Sequence, residues 1–453
     1  MSNELGATPA PQPTAMRGQR TRAILSGWLS MLLLGYDQQL PTFVLPAAML
    51  FFVPPTLPPA TRVTLVNLFY GITAVANPVG SLLIAPLGDR VGRRRLVGLC
   101  ITTFTLGTVL IAALPGYAAW GYGAVACLLL LRVVTGVFEG AVAGGAAALS
   151  LEQTERPQRG LIGALVGIGL TLGVLILSFV QSATVAISPG RAFAIWGWRL
   201  PFLFAGVIAV VVYLLLRNAL EVDLTSLYHL RRASPLREVF SGRYLRTFGQ
   251  TFLIVLGFFF TVDIAVSFVP SLLIGYLHQP PPDIGPLLIA SQVGILVLSI
   301  GYGAFSQRLG RKPALVGGGI GVAVLGTGFY YLMIRAADAH HGFGPVFAFG
   351  WLAMTLSLIP YSGVLFSYLA ERFPIHIRAT GLSSVFSLGG VIPGFYSLYL
   401  FGLGRVMPFE YTPLVLLALG GVLTAVGAAL GPETRAVEVG AAELTAPLPG
   451  AQA

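Results

Sequence analysis

With 453 residues, 55% of them hydrophobic and only 10% charged, the chain cannot clothe a water-facing surface, which in a soluble domain takes roughly 25% charged residues. A mean hydropathy of +0.82 instead fits a protein whose exterior lipid solvates. The net charge of +10 would suit nucleic acid, but the arginines lie scattered in short loops between apolar runs, which argues against that partner.

In chain order, residues 1–22 are polar, carry Pro9, Pro11 and Pro13, and hold no apolar core of a cleaved signal. They read as a cytoplasmic tail. Twelve apolar runs follow, near 23–50, 62–87, 96–115, 121–150, 159–186, 198–219, 247–277, 282–307, 313–335, 344–371, 377–404 and 411–430; at ~20 residues per span each is long enough to cross a bilayer. A polar stretch at 220–246 parts a first half (23–219) from a second (247–430), and 431–453 form a closing tail. The predicted fold is an all-α membrane protein, twelve transmembrane helices in two six-helix pseudo-symmetric halves.

Loops on the side of the termini carry most of the arginines, whereas the opposite loops hold only Arg62, Arg191, Arg199, Arg335 and Arg405. By the positive-inside rule both termini are cytoplasmic, and the protein is expected as a multi-pass component of the cell inner membrane. Cys100 and Cys127 fall inside apolar runs, so no disulfide framework is expected. The histidines His229, His278, His340, His341 and His376 sit in loops or at span ends without clustered acids, so neither a metal nor another cofactor is expected. Small residues at four-residue spacing, such as Gly136, Gly140 and Gly144, predict close helix packing.

A charged string occurs twice, half a chain apart: Asp89-Arg90-Val91-Gly92-Arg93-Arg94 and Gln307-Arg308-Leu309-Gly310-Arg311-Lys312. A short basic turn repeated at that spacing suggests two related halves, hence a transporter. With Gly303-Ala304-Phe305-Ser306 before it, the second copy resembles the loop signature of the major facilitator superfamily, as Arg132-Val133-Val134-Thr135-Gly136 resembles that family's span-four string. Trp196-Gly197-Trp198-Arg199-Leu200-Pro201-Phe202, Glu371-Arg372-Phe373-Pro374 and Arg378-Ala379-Thr380-Gly381 are similar to its metabolite:proton symporter branch. Gly35-Tyr36-Asp37 and Thr135 resemble the aromatic-acid:proton symporter branch equally well. The resemblance implies that spans one, four, seven and ten line a central cavity.

No phosphate-binding loop occurs, so the expected energy source is a gradient, not ATP. A proton gradient needs carboxyl groups inside the membrane, where an ionisable side chain costs about 2.5–3.5 kcal/mol on insertion scales. Asp37, Glu139 and Asp263 lie at that depth, on cavity-lining spans, and are the expected proton-coupling acids, Asp37 foremost. Arg132 is the deep cation, either binding an anionic solute's carboxylate or tuning Asp37. Tyr36, Gln38, Gln39, Gln292 and Tyr361 are polar positions expected to contact solute. The repeated turns predict a cytoplasmic gate of Asp89, Arg90, Gly92, Arg93, Glu152, Arg308, Gly310, Arg311 and Arg378, with Asp89 paired to Arg378 and Arg90 to Glu152. No nucleophile–base set points to an enzyme. The expected function is proton-coupled uptake of a small organic solute, an organic anion, by alternating access in a monomer, with a sugar or drug carrier of the same fold as the alternative.

Overall fold

The computed structural model describes residues 13–54, 56–84, 87, 93–152, 159–216, 238–339, 342–374 and 377–435. Among these, every regular element is helical. The long rods are α1 (Pro13–Val44), α2 (Pro59–Val79), α3 (Arg93–Ile111), α4 (Tyr122–Glu152), α5 (Arg159–Ile187) and α6 (Arg199–Leu216). They continue with α7 (Gly242–Val262), α8 (Pro281–Leu309), α9 (Arg311–Gly321, resumed at Thr327–Asp338), α10 (Phe343–Pro360, resumed at Phe366–Arg372), α11 (Arg378–Gly389, resumed at Val391–Gly394 and Tyr396–Leu403) and α12 (Thr412–Leu430).

Among the described residues, ten stretches are long and apolar enough to cross a membrane by length and composition, and α3 adds a shorter apolar helix, Leu96–Ile111. Their outward faces match: on α6, Leu203, Val207, Val210, Val211 and Leu214 are exposed at helical spacing. So continuous an apolar stripe is the surface lipid solvates.

The first six rods pack on one another, α1 on α4, α5 and α6 and α4 on α2 and α3; the last six do likewise, α7 on α11 and α12 and α10 on α8 and α9. The two sets meet where α5 lies along α8 and α10, and where α11 lies along α2 and α4. Close approach depends on absent side chains: a Cβ on Gly136 would stand 2.6 Å from the Thr73 carbonyl oxygen, and one on Gly140 would collide with that of Asn77.

Several rods depart from regular α-helix beside chemically interesting residues. Pro41 in α1 has no N–H, so the Asp37 carbonyl four residues earlier loses its helical donor. Wide π-helical turns run Asp263–Ser267 and Ser271–Tyr276 beyond α7, and Tyr361–Leu365 after Pro360 in α10. Irregular backbone at membrane depth is tolerated only inside protein or along a polar cavity.

Three boundaries differ from the sequence reading. Helix α1 is described from Pro13 onward, within the stretch read as tail. Helix α7 starts at Gly242, within the stretch read as linker; most of that linker, 217–237, lies outside the described residues. Residues Gly431 to Arg435, read as tail, are bound against the bundle, because Glu433 finds donors there.

Candidate functional site

The centre of the bundle is built around one charged pair. Arg132 Nη1 of α4 donates to Asp37 Oδ2 of α1 at 3.3 Å, with side chains 0% and 1% exposed. Two hydroxyls brace it: Thr108 of α3 donates to Asp37 Oδ1 at 2.7 Å, and Arg132 Nε donates to Thr73 Oγ1 of α2 at 3.0 Å. Taking two charges out of water is costly, and here the ion pair and hydrogen bonds offset the cost. The bracing is incomplete, since Arg132 Nη2 is buried with no hydrogen-bond partner among the described residues, and the buried Glu139 carboxyl faces the Asp37 carboxylate and not a donor. Glu139 lies on α4 within electrostatic reach of both Asp37 and Arg132.

The acid in α7 has different company. Tyr70 of α2 donates to Asp263 Oδ1 at 2.8 Å, while Oδ2 is buried without a hydrogen-bond partner among the described residues. Around it, Tyr396 of α11 donates to Asn67 Oδ1 at 2.6 Å and Asn67 Nδ2 donates to Ser271 at 2.8 Å. The Tyr70 and Tyr396 rings lie 6.1 Å apart, centroid to centroid.

Thus Asn67, Tyr70 and Thr73, three residues apart on one face of α2, each hold a partner on another helix. The sequence reading missed all three, along with Thr108 and Ser271. The stripe was legible as polar residues at helical spacing in an apolar run, but it carries no charge to mark it.

The other expected contacts are spread out. Gln39 Oε1 accepts from Ser267 of the α7 extension at 2.8 Å, joining the two sets of helices; Gln38 is half-buried. Tyr36 donates to the Pro201 carbonyl of α6 at 2.9 Å, within the first set. Tyr361 bonds Thr261 at 3.1 Å and Thr424 at 2.8 Å, within the second. Gln292 is buried in α8, its Nε2 without a partner among the described residues. The motif residue Arg199 stacks over Trp198 at 4.6 Å and donates to the Ala112 carbonyl at 2.8 Å, closing the end of α3.

At the basic end, Asp89, Arg90 and Gly92 lie outside the described residues, as do the side chains of Arg93 and Glu152. The second turn is fully described. Gly310, at φ +114°, sharply separates α8 from α9, a conformation that favours glycine. Glu433 accepts from the backbone N–H groups of Arg311 at 2.8 Å and Lys312 at 3.0 Å, so an anion caps the start of α9. Arg311 pairs with Glu371 of α10 at 3.6 Å, Glu371 accepts from Thr434 at 2.6 Å, and Arg435 reaches the Arg308 carbonyl at 2.7 Å. The acid missing at Gln307 is therefore supplied from elsewhere in the chain. Burial works to raise the Glu433 carboxyl, but the N–H groups of Arg435, Arg311, Lys312 and Thr434 outweigh it and hold the acid below its usual range. Arg378 donates from Nε to the Ala370 and Phe373 carbonyls at 2.8 and 3.0 Å, fastening α11 to the end of α10.

Apolar rods of spanning length around buried, internally paired charges define a multi-pass membrane protein. The model of the Major Facilitator Superfamily matches residues 27–397, and the chain belongs to that family of secondary transporters. It is 26% identical over 375 residues to the glycine betaine/proline/ectoine/pipecolic acid transporter OusA of Dickeya dadantii, covering 78% of this chain and 72% of that one. It is 24% identical over 415 residues to the shikimate transporter of Escherichia coli, covering 88% and 91%. Its fold matches the proton:xylose symporter XylE with a TM-score of 0.69 over 92% of this chain and 97% of that one, at 16% identity.

Proposed function

We propose that the chain is a twelve-span carrier of the inner membrane, in two six-helix halves with cytoplasmic termini, that couples uptake of a small organic acid to protons by alternating access. The observation that carries this reading is the buried Asp37–Arg132 pair. With Asp37 ionised, Arg132 is occupied. A proton on Asp37 cancels one charge of the pair and releases the guanidinium for a solute carboxylate. Loss of the solute lets Arg132 recapture Asp37 and expels the proton. Proton and solute therefore favour each other's binding, by the same factor in each direction. Both readings of Arg132 drawn from the sequence are stages of one cycle. Glu139, beside the pair, is a site for a second proton.

One proton per monoanion moves no net charge and draws on the pH gradient alone; each net charge carried inward across ~100 mV would add roughly 2.3 kcal/mol. At the cytoplasmic end, Arg311, Glu371, Glu433 and Arg378 hold α8 to α12 as one body that rocks as a unit.

The solutes named for the two curated relatives all carry a carboxylate, which supports an acid over the sugar or drug alternative. Uptake of labelled organic acids into proteoliposomes under an imposed pH gradient tests the reading. Uptake should saturate, collapse with the gradient, and vanish in Arg132→Ala. Saturable uptake indifferent to the gradient or to Arg132→Ala would overturn it.

A further inference from the structure

We infer that Glu139 holds a resident proton and donates it in a hydrogen bond to the ionised Asp37, positioning the acid that exchanges while its own proton never travels with the solute. This rests on the reading of Asp37 as the exchanging acid and gives the second proton beside it a fixed place. Glu139 is 0% exposed, and neither of its carboxyl oxygens meets a donor among the described residues. It stands seven residues after Arg132, hence on the same face of α4 and about 10 Å further along the axis. The Asp37 carboxylate of α1 serves both side chains, paired with Arg132 Nη1 at 3.3 Å and facing the Glu139 carboxyl.

Two carboxyl groups facing each other in a buried site make a hydrogen bond only when a proton lies between them. The surroundings decide which of the two keeps it. Asp37 has the counter-charge of Arg132 on one oxygen and the Thr108 hydroxyl, at 2.7 Å, on the other. Glu139 has neither. The other hydroxyls around the pair are spent, Thr135 donating to the Arg132 carbonyl at 3.1 Å and Thr73 to the Phe69 carbonyl at 3.4 Å. Besides Asp37, α1 carries Tyr36, which is bonded to Pro201, and Arg17, Arg20 and Arg22 in its first turns. Helices α2, α3, α5 and α11 also pack on α4. Their charged residues, Arg62, Arg93 to Arg95, Arg159 and Arg378, belong to end turns, and their ionisable groups further in are Tyr70, Cys100, Tyr396 and Tyr399. With a proton on Glu139 the charges of Asp37, Arg132 and Glu139 sum to zero; without it a net negative charge would stand buried and undonated. When Asp37 takes the travelling proton and releases Arg132, Glu139 keeps its own. When Asp37 gives that proton back to water, the Glu139 O–H stabilises the returning carboxylate. Coupling is then one proton per solute, although two acids face each other.

Infrared spectra of the purified full-length protein in detergent, without solute, read the C=O stretch of protonated carboxyl groups and test this directly. Near neutral pH the wild type should show such a band. Glu139→Gln, close to isosteric, should lose one carboxyl's share of its intensity, a share that Asp263→Asn should retain. On acidification a further band, the one that Asp37→Asn lacks, should grow in. It should appear about one pH unit higher in Glu139→Leu, which has no donor for the Asp37 carboxylate, than in Glu139→Gln, which keeps one. A wild type without a protonated-carboxyl band near neutral pH, a band of undiminished intensity in Glu139→Gln, or the same Asp37 titration in the Gln and Leu variants would overturn the proposal. The first of these needs no variant to fold. Because no solute enters, such a failure leaves the exchange of proton for solute at Arg132 to be judged by the uptake assay alone.

Discussion

Asp37 and Asp263 are buried to the same degree, one in α1 and one opening the wide turn after α7, yet the protein surrounds them differently. Asp37 shares its charge with Arg132 and has a hydroxyl on its other oxygen, whereas Asp263 has one tyrosine and an oxygen without a partner. Depth alone does not assign a role to a membrane carboxylate; its company does. A paired acid can exchange its partner for a proton, and an acid with an open oxygen can receive a cation.

The largest effect should come from removing the shared cation. Arg132→Ala leaves Asp37 buried without a counter-charge, a loss of about 3–5 kcal/mol for a broken buried pair; transport should disappear, and thermal unfolding in detergent should shift downward. Arg132→Lys keeps the charge but not the fork that spans Asp37 and Thr73, so flux assays should find partial recovery. Next comes Asp37→Asn. It should cut gradient-driven uptake more than about tenfold while sparing solute exchange at equal pH, because the neutral amide mimics the protonated acid. Loss of exchange as well would place Asp37 in solute binding and blur the contrast with Asp263.

A smaller change is expected from Tyr70→Phe, which removes a hydrogen bond to a charged group, about 1.5–3 kcal/mol locally. It should alter apparent solute affinity without changing the pH dependence of uptake. Smallest is Glu433→Gln at the basic end, where the loss of a helix-capping anion costs about 1 kcal/mol. Glu433 is held below its unfolded value of about 4.3. Its stabilisation is therefore fully present above that pH and lost as pH falls through the lower folded value. Unfolding followed from pH 6 downward should reveal an acid-sensitive component that Glu433→Gln lacks.

The order of helices and the burial of Asp37, Arg132, Glu139 and Asp263 inside the bundle were legible because apolar runs and lone charges within them stand out in a sequence. The partners of those charges were not. Thr73, Thr108 and Tyr70 are unremarkable residues in apolar helices, and only the crossing of α2 and α3 with α4 brings two of them to the pair. Glu433 was read as tail because nothing in Gly431 to Arg435 betrays that a turn more than a hundred residues earlier offers it bare N–H groups. The substitution of Gln307 for an acid was readable; its replacement by Glu371 and Glu433 from distant positions was not.

The central claim, that a proton on Asp37 is what frees Arg132 for a solute carboxylate, predicts proton uptake on binding. Purified protein in weakly buffered detergent, titrated near neutral pH with a bound organic acid while a pH-sensitive dye reports, should take up about one proton per solute. The Asp37→Asn variant should bind without taking up any. Solute binding by the wild type with no proton uptake, or uptake undiminished in Asp37→Asn, would contradict it.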